Sequence, residues 1–316
     1  MTAMMIDMHT HAGRRGRGDS VDSAVLASMG PGGMAAAVVS AIPDLPLIRR
    51  DAVTRALCQV RTAEPGECWA VTQRQLAGYR AAGMRIATEP AEVVAGDPAL
   101  VLAVEGCDFL DGDLDRLDRL AAEGVRSVQL VHCCVNETGD IQTAPPVHGG
   151  LTALGAGAVK RMNALGVMVD VAHCTEAVVR GVVAASTRPI LCTHANLAEP
   201  DLPDGGHRRF ISRDYARLVA GTGGVIGAWI SVLWEERIPG LVRHLCRLVD
   251  AVGVEHVGIG TDMPSGVAAE EMPDFSRHGG IAAALRARGI SEEDVAKICA
   301  GNWLRVFRAA REGMGA

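Results

Sequence analysis

Aromatic side chains are scarce in this 316-residue chain: two tyrosines, four phenylalanines and four tryptophans, 3% in all. So few rings disfavour a platform for stacking bases or sugars. A basic excess is missing too. Lys and Arg number 31 against 37 Asp and Glu, a formal net charge of -6, which argues against the basic footprint that nucleic acid demands. There is no run of about 18 apolar residues, so no membrane span is expected. The N-terminus lacks a basic segment leading into an apolar stretch and a small-residue cleavage site. Met4 to Met8 is short and contains Asp7, so no signal peptide is read there. None of the nine cysteines forms C-x-x-C, which removes a zinc ribbon. Without a secretion signal they read as free thiols in a reducing compartment, and a cytoplasmic location is expected. No linker rich in Pro or Ser divides the chain, so residues 1–316 are expected to form a single domain.

What is present is an ordinary globular composition, 48% hydrophobic and 22% charged, with a full core to bury. The chain opens on Met4 to His11, Met-Met-Ile-Asp-Met-His-Thr-His. Side chains at i and i+2 of a strand share a face. His9 and His11 would therefore leave the end of a strand together, as half of a site for zinc or a similar ion.

Eight short apolar runs recur along the chain, most without polar alternation, as strands buried on both faces read. They are Thr2 to His9, Met34 to Ala41, Ala99 to Glu105, Val125 to His132, Val167 to His173, Ile190 to His194, Gly223 to Trp229 and Val257 to Asp262. Helical patterns lie between most of them: Thr54 to Ala82, Asp113 to Glu123, Ala156 to Leu165, Thr175 to Ala185, Ser212 to Ala220 and Ile238 to Val252. Strand then helix, eight times, predicts an α/β fold of the (β/α)8 TIM-barrel type. A doubly wound open sheet is the alternative, but no Gly-rich dinucleotide turn follows the first strand. Ser212 and Ser291 read as N-caps, and Gly124, Gly166 and Gly289 as helix stops. Gly13 to Gly18 reads as a mobile basic loop, and Pro200 to Gly206 as a further loop.

In such a barrel, chemistry sits where strands end. His9 and His11, Glu105, His132, His173, His194 and Asp262 all fall at predicted strand ends. Five of ten histidines and two acids at those places predict a metal site. Cys133, Cys134, Cys174 and Cys192 adjoin these residues and read as packing rather than as ligands. A cysteine nucleophile is a weaker option, since the metal would occupy the same histidines. His148, His207, His244, His256 and His278 read as structural.

At this point the chain resembles the amidohydrolase superfamily, and within it the membrane (renal) dipeptidase family of zinc peptidases. The supporting stretches are Val104-Glu105-Gly106, Gly124 to His132 with Asn136, His148 to Thr152, Arg161-Met162-Asn163 with Leu165-Gly166, and Val169 to His173 followed by Thr175-Glu176-Ala177. Thr193-His194-Ala195, His256 to Gly260 before Asp262, and Gly301 to Val306 complete them. The resemblance covers nearly the whole chain. It implies two zinc ions per subunit bridged by Glu105, one held by His9, His11 and Asp262, the other by His173 and His194. It implies that His132 touches the substrate carbonyl or its oxyanion, and that Arg209 grips the substrate's terminal carboxylate, for which a guanidinium fork is suited.

The sequence departs from that family in places. The family's first motif is His-x-Asp, whereas residue 11 is His. A neutral ligand replaces an anion, so the metal pair would keep about one more positive charge. The loop after His11 carries Arg14, Arg15 and Arg17, and after Asp262 the family's usual Phe-Asp-Gly is replaced by Met263-Pro264-Ser265-Gly266. The chemistry expected is hydrolysis of a small dipeptide by a metal-bound hydroxide. Asp262 carries the water's proton to the leaving amine, and Glu105 acts as a bridge. The altered loops keep another small amide, an N-acyl amino acid, or a cyclic amide or lactone as the alternative, and a non-catalytic metal-binding scaffold as a third reading. A small-molecule substrate, no nucleic acid and no membrane partner are expected. Oligomeric state, a homodimer included, is left open.

Overall fold

The computed structural model describes residues 3–11, 21–53, 57–202, 207–230, 237–263 and 272–314. The expected loop at Gly13 to Gly18, residues 203–206 of the second loop, and Pro264-Ser265-Gly266 lie outside them.

Eleven strands occur among the described residues: β1 (Met5–Thr10), β2 (Met34–Ala41), β3 (Ile48–Arg50), β4 (Leu57–Gln59), β5 (Arg85–Ile86), β6 (Ala99–Glu105), β7 (Val125–Gln129), β8 (Met168–Asp170), β9 (Leu191–Ala195), β10 (Val225–Ala228) and β11 (Val257–Ile259). Eight of them run parallel in the order β1-β2-β6-β7-β8-β9-β10-β11, and β5 adds beside β6. The seam between first and last is closed just beyond β11. The Asp262 N–H donates to the His9 carbonyl at 2.9 Å and the His11 N–H to the Met263 carbonyl at 2.7 Å. This is the nearly closed (β/α)8 barrel that the eight apolar runs predict.

The barrel strands are mostly apolar because both faces are covered. All eight residues of β2 are buried, and Ala36 to Ala41 pair with Ala99 to Val104 in unbroken register. At the end opposite the site, Ile6, Met8, Val38, Val101, Leu191 and Val225 pack against Trp303, Leu304 and Phe307 of the last helix, Asn302–Arg311. The Asn302 amide donates to the carbonyls of Val254 and Val257 at 2.7 and 2.8 Å, tying that helix beneath β11.

Helices alternate with the barrel strands: α1 (Ser23–Ala27), α2 (Glu67–Ala81), α3 (Asp115–Ala122), α4 (Ala153–Leu165), α5 (Glu176–Ala185), α6 (Arg213–Gly221) and α7 (Arg237–Val252), followed by C-terminal helical segments. Ser212 accepts from the Tyr215 N–H at 2.9 Å and Ser291 from the Asp294 N–H at 3.1 Å, as N-caps do. Gly166 ends α4 in the left-handed region at φ +67°. None of the described helices is long and apolar enough to cross a membrane.

One helix is much shorter than its sequence pattern. Thr54 to Ala82 reads as one helix, yet β4 and an irregular stretch occupy its first part and α2 starts only at Glu67. Gly66 precedes it at φ +77° and follows Pro65, a pair that breaks helices. Residues 54–56 are outside the described part.

Close approach of backbones fixes two glycines. A Cβ on Gly260 would stand 1.7 Å from the Thr193 carbonyl oxygen, and one on Gly227 2.0 Å from the same atom. No side-chain rotation relieves a clash with backbone. Gly260→Ala is therefore expected to destabilise the barrel by at least about 3 kcal/mol, the upper end of ordinary overpacking. A denaturation curve within about 1 kcal/mol of wild type would contradict this.

Candidate metal centre

The side chains singled out at strand ends converge. Glu105, the last residue of β6 and 1% exposed, lies at their middle. Its carboxylate is 3.4 Å from His9 Nε2, 3.2 Å from His11 Nε2, 3.3 Å from His173 Nε2, 3.6 Å from His194 Nε2 and 3.7 Å from His132 Nε2. Asp262 Oδ1 is 3.2 Å from His11 Nε2 and 3.9 Å from His9 Nε2. His173 Nε2 and His194 Nε2 face each other at 3.0 Å.

The strands end earlier than the sequence suggests, so several of these residues belong to the loops just beyond. β7 stops at Gln129, β8 at Asp170 and β11 at Ile259. His132, His173 and Asp262 follow on irregular backbone. His173 and Asp262 stand at φ +67° and +59°; among the described residues only Asp111 joins them as a non-glycine in that region. Left-handed backbone is rare for residues with a Cβ and concentrates at functional sites. Here it turns two side chains inward after their strands have ended.

The far nitrogens of His9, His11 and His194 have polar neighbours, which leaves Nε2 to face the centre, whereas the buried His173 Nδ1 makes no hydrogen bond. His11 Nδ1 is 3.2 Å from the Ser40 carbonyl and His194 Nδ1 3.1 Å from Thr193 Oγ1. His9 Nδ1 lies 3.4 Å from both Ser40 Oγ and Thr193 Oγ1. Beneath them, buried Asp7 accepts from the His9 and Thr261 N–H groups, the Thr261 hydroxyl and His278 Nε2. His278, read from sequence as structural, is fully buried in this support. Asp170 does the same for Ala172 and Thr193. Outer partners of this kind orient metal-binding imidazoles.

The electrostatics divide the cluster. Burial opposes the charge on Glu105, but the imidazoles of His132, His9 and His11 outweigh it and hold the carboxyl well below its usual range. Burial also opposes a charge on His11, yet hydrogen bonds to Asp262 and Glu105 raise it to about 9. Burial and the Arg209 guanidinium push His173 well below its ordinary value; burial, His9 and Arg209 do so for His194. Two neutral rings thus face each other on one side, and a ring between two carboxylates lies on the other.

These residues fit a divalent metal. His9 Nε2 is buried and makes no hydrogen bond, and nitrogen and carboxylate oxygen suit a borderline cation. Ligand atoms of His9, His11 and Glu105 all lie within 4.8 Å of one another, as do those of Glu105, His173 and His194. Glu105 is common to both groups.

Arg209, 6% exposed, reaches the same space. Its Nη1 contacts His173 Nε2, its Nη2 is 3.5 Å from the His194 carbonyl oxygen, and its Nε has no hydrogen bond. Arg208 points elsewhere, to the Thr143 carbonyl at 3.4 Å. Two neighbours were not singled out from the sequence. The Trp229 ring lies 5.4 Å from the Arg209 guanidinium, within cation–π range. Asp44 Oδ1 is 2.7 Å from His132 Nδ1, and Asp44 Oδ2 accepts from the Cys133 N–H at 3.0 Å. Asp44 lies just beyond β2, so the strand-end rule applied to that strand would have found it.

The sequence model of the membrane dipeptidase family of peptidases matches residues 19–314. The dipeptidase VerJ of Clonostachys rogersoniana is 30% identical over 224 residues, 69% of this chain and 57% of that protein. An uncharacterized protein in the pqqA 5' region of Klebsiella pneumoniae is 27% identical over 253 residues, 74% of this chain and 92% of that one. The match thus spans little more than half of the fungal relative and nearly all of the bacterial one. Among solved structures, a metallo peptidase from Rhodobacter sphaeroides, liganded with a phosphinate mimic of the dipeptide L-Ala-D-Ala, superposes with a TM-score of 0.78 at 22% identity, over 98% of this chain and 100% of that one. The probable dipeptidase PvdM from Pseudomonas aeruginosa does so with 0.77 at 21%, over 98% and 96%.

Proposed function

The chain belongs to the membrane dipeptidase family of metal-dependent hydrolases, and from that premise we propose that it cleaves the amide bond of a small dipeptide at a pair of zinc ions. The observation that carries this reading is the convergence of His9, His11, His173 and His194 on one buried carboxylate, Glu105. His9, His11, Asp262 and Glu105 would hold one ion, and Glu105, His173 and His194 the other. Zinc at these positions supplies an acidified water and a Lewis acid for the carbonyl oxygen.

The chain's own residues supply the rest. Arg209 has no hydrogen bond at Nε and its guanidinium lies 5.4 Å from the Trp229 ring, so it is placed to take the substrate's terminal carboxylate in a bidentate pair. His132 is held at Nδ1 by Asp44 and presents Nε2 toward the centre, where it donates to the developing oxyanion. Asp262 receives the proton of the attacking water and returns it to the leaving amine. We propose that a single barrel domain spans residues 1–316.

The test is a dipeptide panel, including D-residues at the C-terminal side, offered to zinc-loaded protein. Release of free amino acids, lost on chelation and restored by zinc, is expected. Turnover of a lactone or an N-acyl amino acid with no dipeptide cleaved would overturn the substrate class. Arg209→Ala should mainly raise KM. A charged hydrogen bond is worth about 1.5–3 kcal/mol, so the rise is roughly 10- to 150-fold with kcat changed much less. An unchanged KM would remove Arg209 from carboxylate binding.

A further inference from the structure

Cys133 is a thiol that the reaction above does not use, and it lies in the same enclosure. Its Sγ is 3.4 Å from His132 Nε2, and ligand atoms of His132, Cys133 and His173 all lie within 4.8 Å of one another. The three are buried, at 7%, 8% and 6% exposure. We propose that His132, Cys133 and His173 form a third metal position, selective for a thiophilic divalent cation such as cadmium or excess zinc, whose occupancy inhibits the enzyme.

The support for such a position is already built. Asp44 holds two consecutive donors with one carboxylate: Oδ1 on His132 Nδ1 at 2.7 Å and Oδ2 on the Cys133 N–H at 3.0 Å. A carboxylate behind an imidazole fixes which ring nitrogen faces a metal and strengthens it as a ligand. The donor set also differs from the pair beside it. Nitrogen and carboxylate oxygen ring Glu105, whereas a thiolate and two imidazoles favour soft or borderline ions over magnesium, calcium or manganese. Binding forms metal bonds to Cys133 Sγ and His132 Nε2; it breaks the S–H bond and the Nε2–H bond through which His132 would donate, and both protons leave to solvent. The cation is the only added reactant, and no electron changes hands.

Inhibition rests on the reading that His132 Nε2 meets the substrate oxyanion, because coordination removes that donor. His173 also serves the metal pair, so filling the third position draws on one of its ligands.

The experiment titrates cadmium into the zinc-loaded enzyme and follows the ultraviolet thiolate-to-cadmium charge-transfer absorption, bound cadmium per chain and dipeptide hydrolysis. Wild type should gain one thiolate-bound cadmium per chain that Cys133→Ser and Cys133→Ala both lack. Cys134→Ser, a neighbouring-thiol control, should behave as wild type. Asp44→Asn should bind that cadmium about 10- to 100-fold more weakly. The same absorption in both Cys133 variants as in wild type would overturn the site. X-ray absorption on the wild-type complex needs no variant: one sulfur with nitrogen neighbours supports the site, and a shell without sulfur refutes it. Hydrolysis by Cys133→Ser should resist cadmium that stops the wild type, and equal inhibition would refute the regulatory half. If no dipeptide is cleaved, the earlier reading fails while the charge-transfer result still decides the metal position.

Discussion

Glu105→Gln is expected to lose more metal affinity and turnover than any other single change in the cluster. Glutamine keeps the size and shape of the side chain, so no cavity forms in a residue that is 1% exposed. What goes is one negative charge facing five imidazoles between 3.2 and 3.7 Å. The carboxylate is common to both groups of candidate ligands, so on the proposed reading both metal positions would lose an anionic donor in one step. Losing an outer partner of a ligand costs about 10- to 100-fold in affinity or activity; losing the shared ligand should cost more than the top of that range. His11 would also lose one of the two carboxylates that raise it to about 9. Metal analysis of the purified variant should find less than one ion per chain, with a far-ultraviolet spectrum like that of wild type. A variant holding two ions and turning over normally would remove Glu105 from the bridge.

The barrel was legible because burial on both faces writes strands as plain apolar runs. β2 and β6 have the bounds that the sequence suggests, Met34 to Ala41 and Ala99 to Glu105. Position after a strand carried the candidate ligands, even where the strand itself is shorter. His132, His173 and Asp262 each lie three residues beyond their strands, and their approach to the centre depends on loop backbone that apolar pattern does not encode. Asp44 and Trp229 escaped for a related reason. Neither carries a motif; Asp44 stands three residues past β2, where the strand-end rule was not applied, and its partners His132 and Cys133 lie 88 and 89 positions away. His278 was hidden in the same way, since only the folded β1 brings Asp7 within 2.8 Å of it. The long helix over Thr54 to Ala82 failed because helical periodicity was read through Pro65-Gly66, where backbone geometry overrides it.

Asp262→Asn separates proton transfer from metal binding. The backbone at this position has φ +59°, where a residue with a Cβ is strained and asparagine is among the best tolerated. The substitution therefore leaves the turn intact, including the Asp262 N–H that closes the barrel on the His9 carbonyl at 2.9 Å. The amide oxygen can still face His11, where the carboxylate oxygen now lies at 3.2 Å, and Glu105 still offers an anion to the same imidazole. Much of the bound metal should remain. An amide cannot take up the water's proton at neutral pH, and a positioned general acid–base is worth about 10²–10⁴ in rate. We therefore expect kcat to fall by that factor, with KM nearly unchanged and metal content close to wild type. Because Arg209 rather than Asp262 would hold the substrate's carboxylate, a large rise in KM instead would place Asp262 in substrate binding. Wild-type kcat in a fully loaded variant would exclude it from the proton path, and the base would then have to be sought among the remaining groups around Glu105.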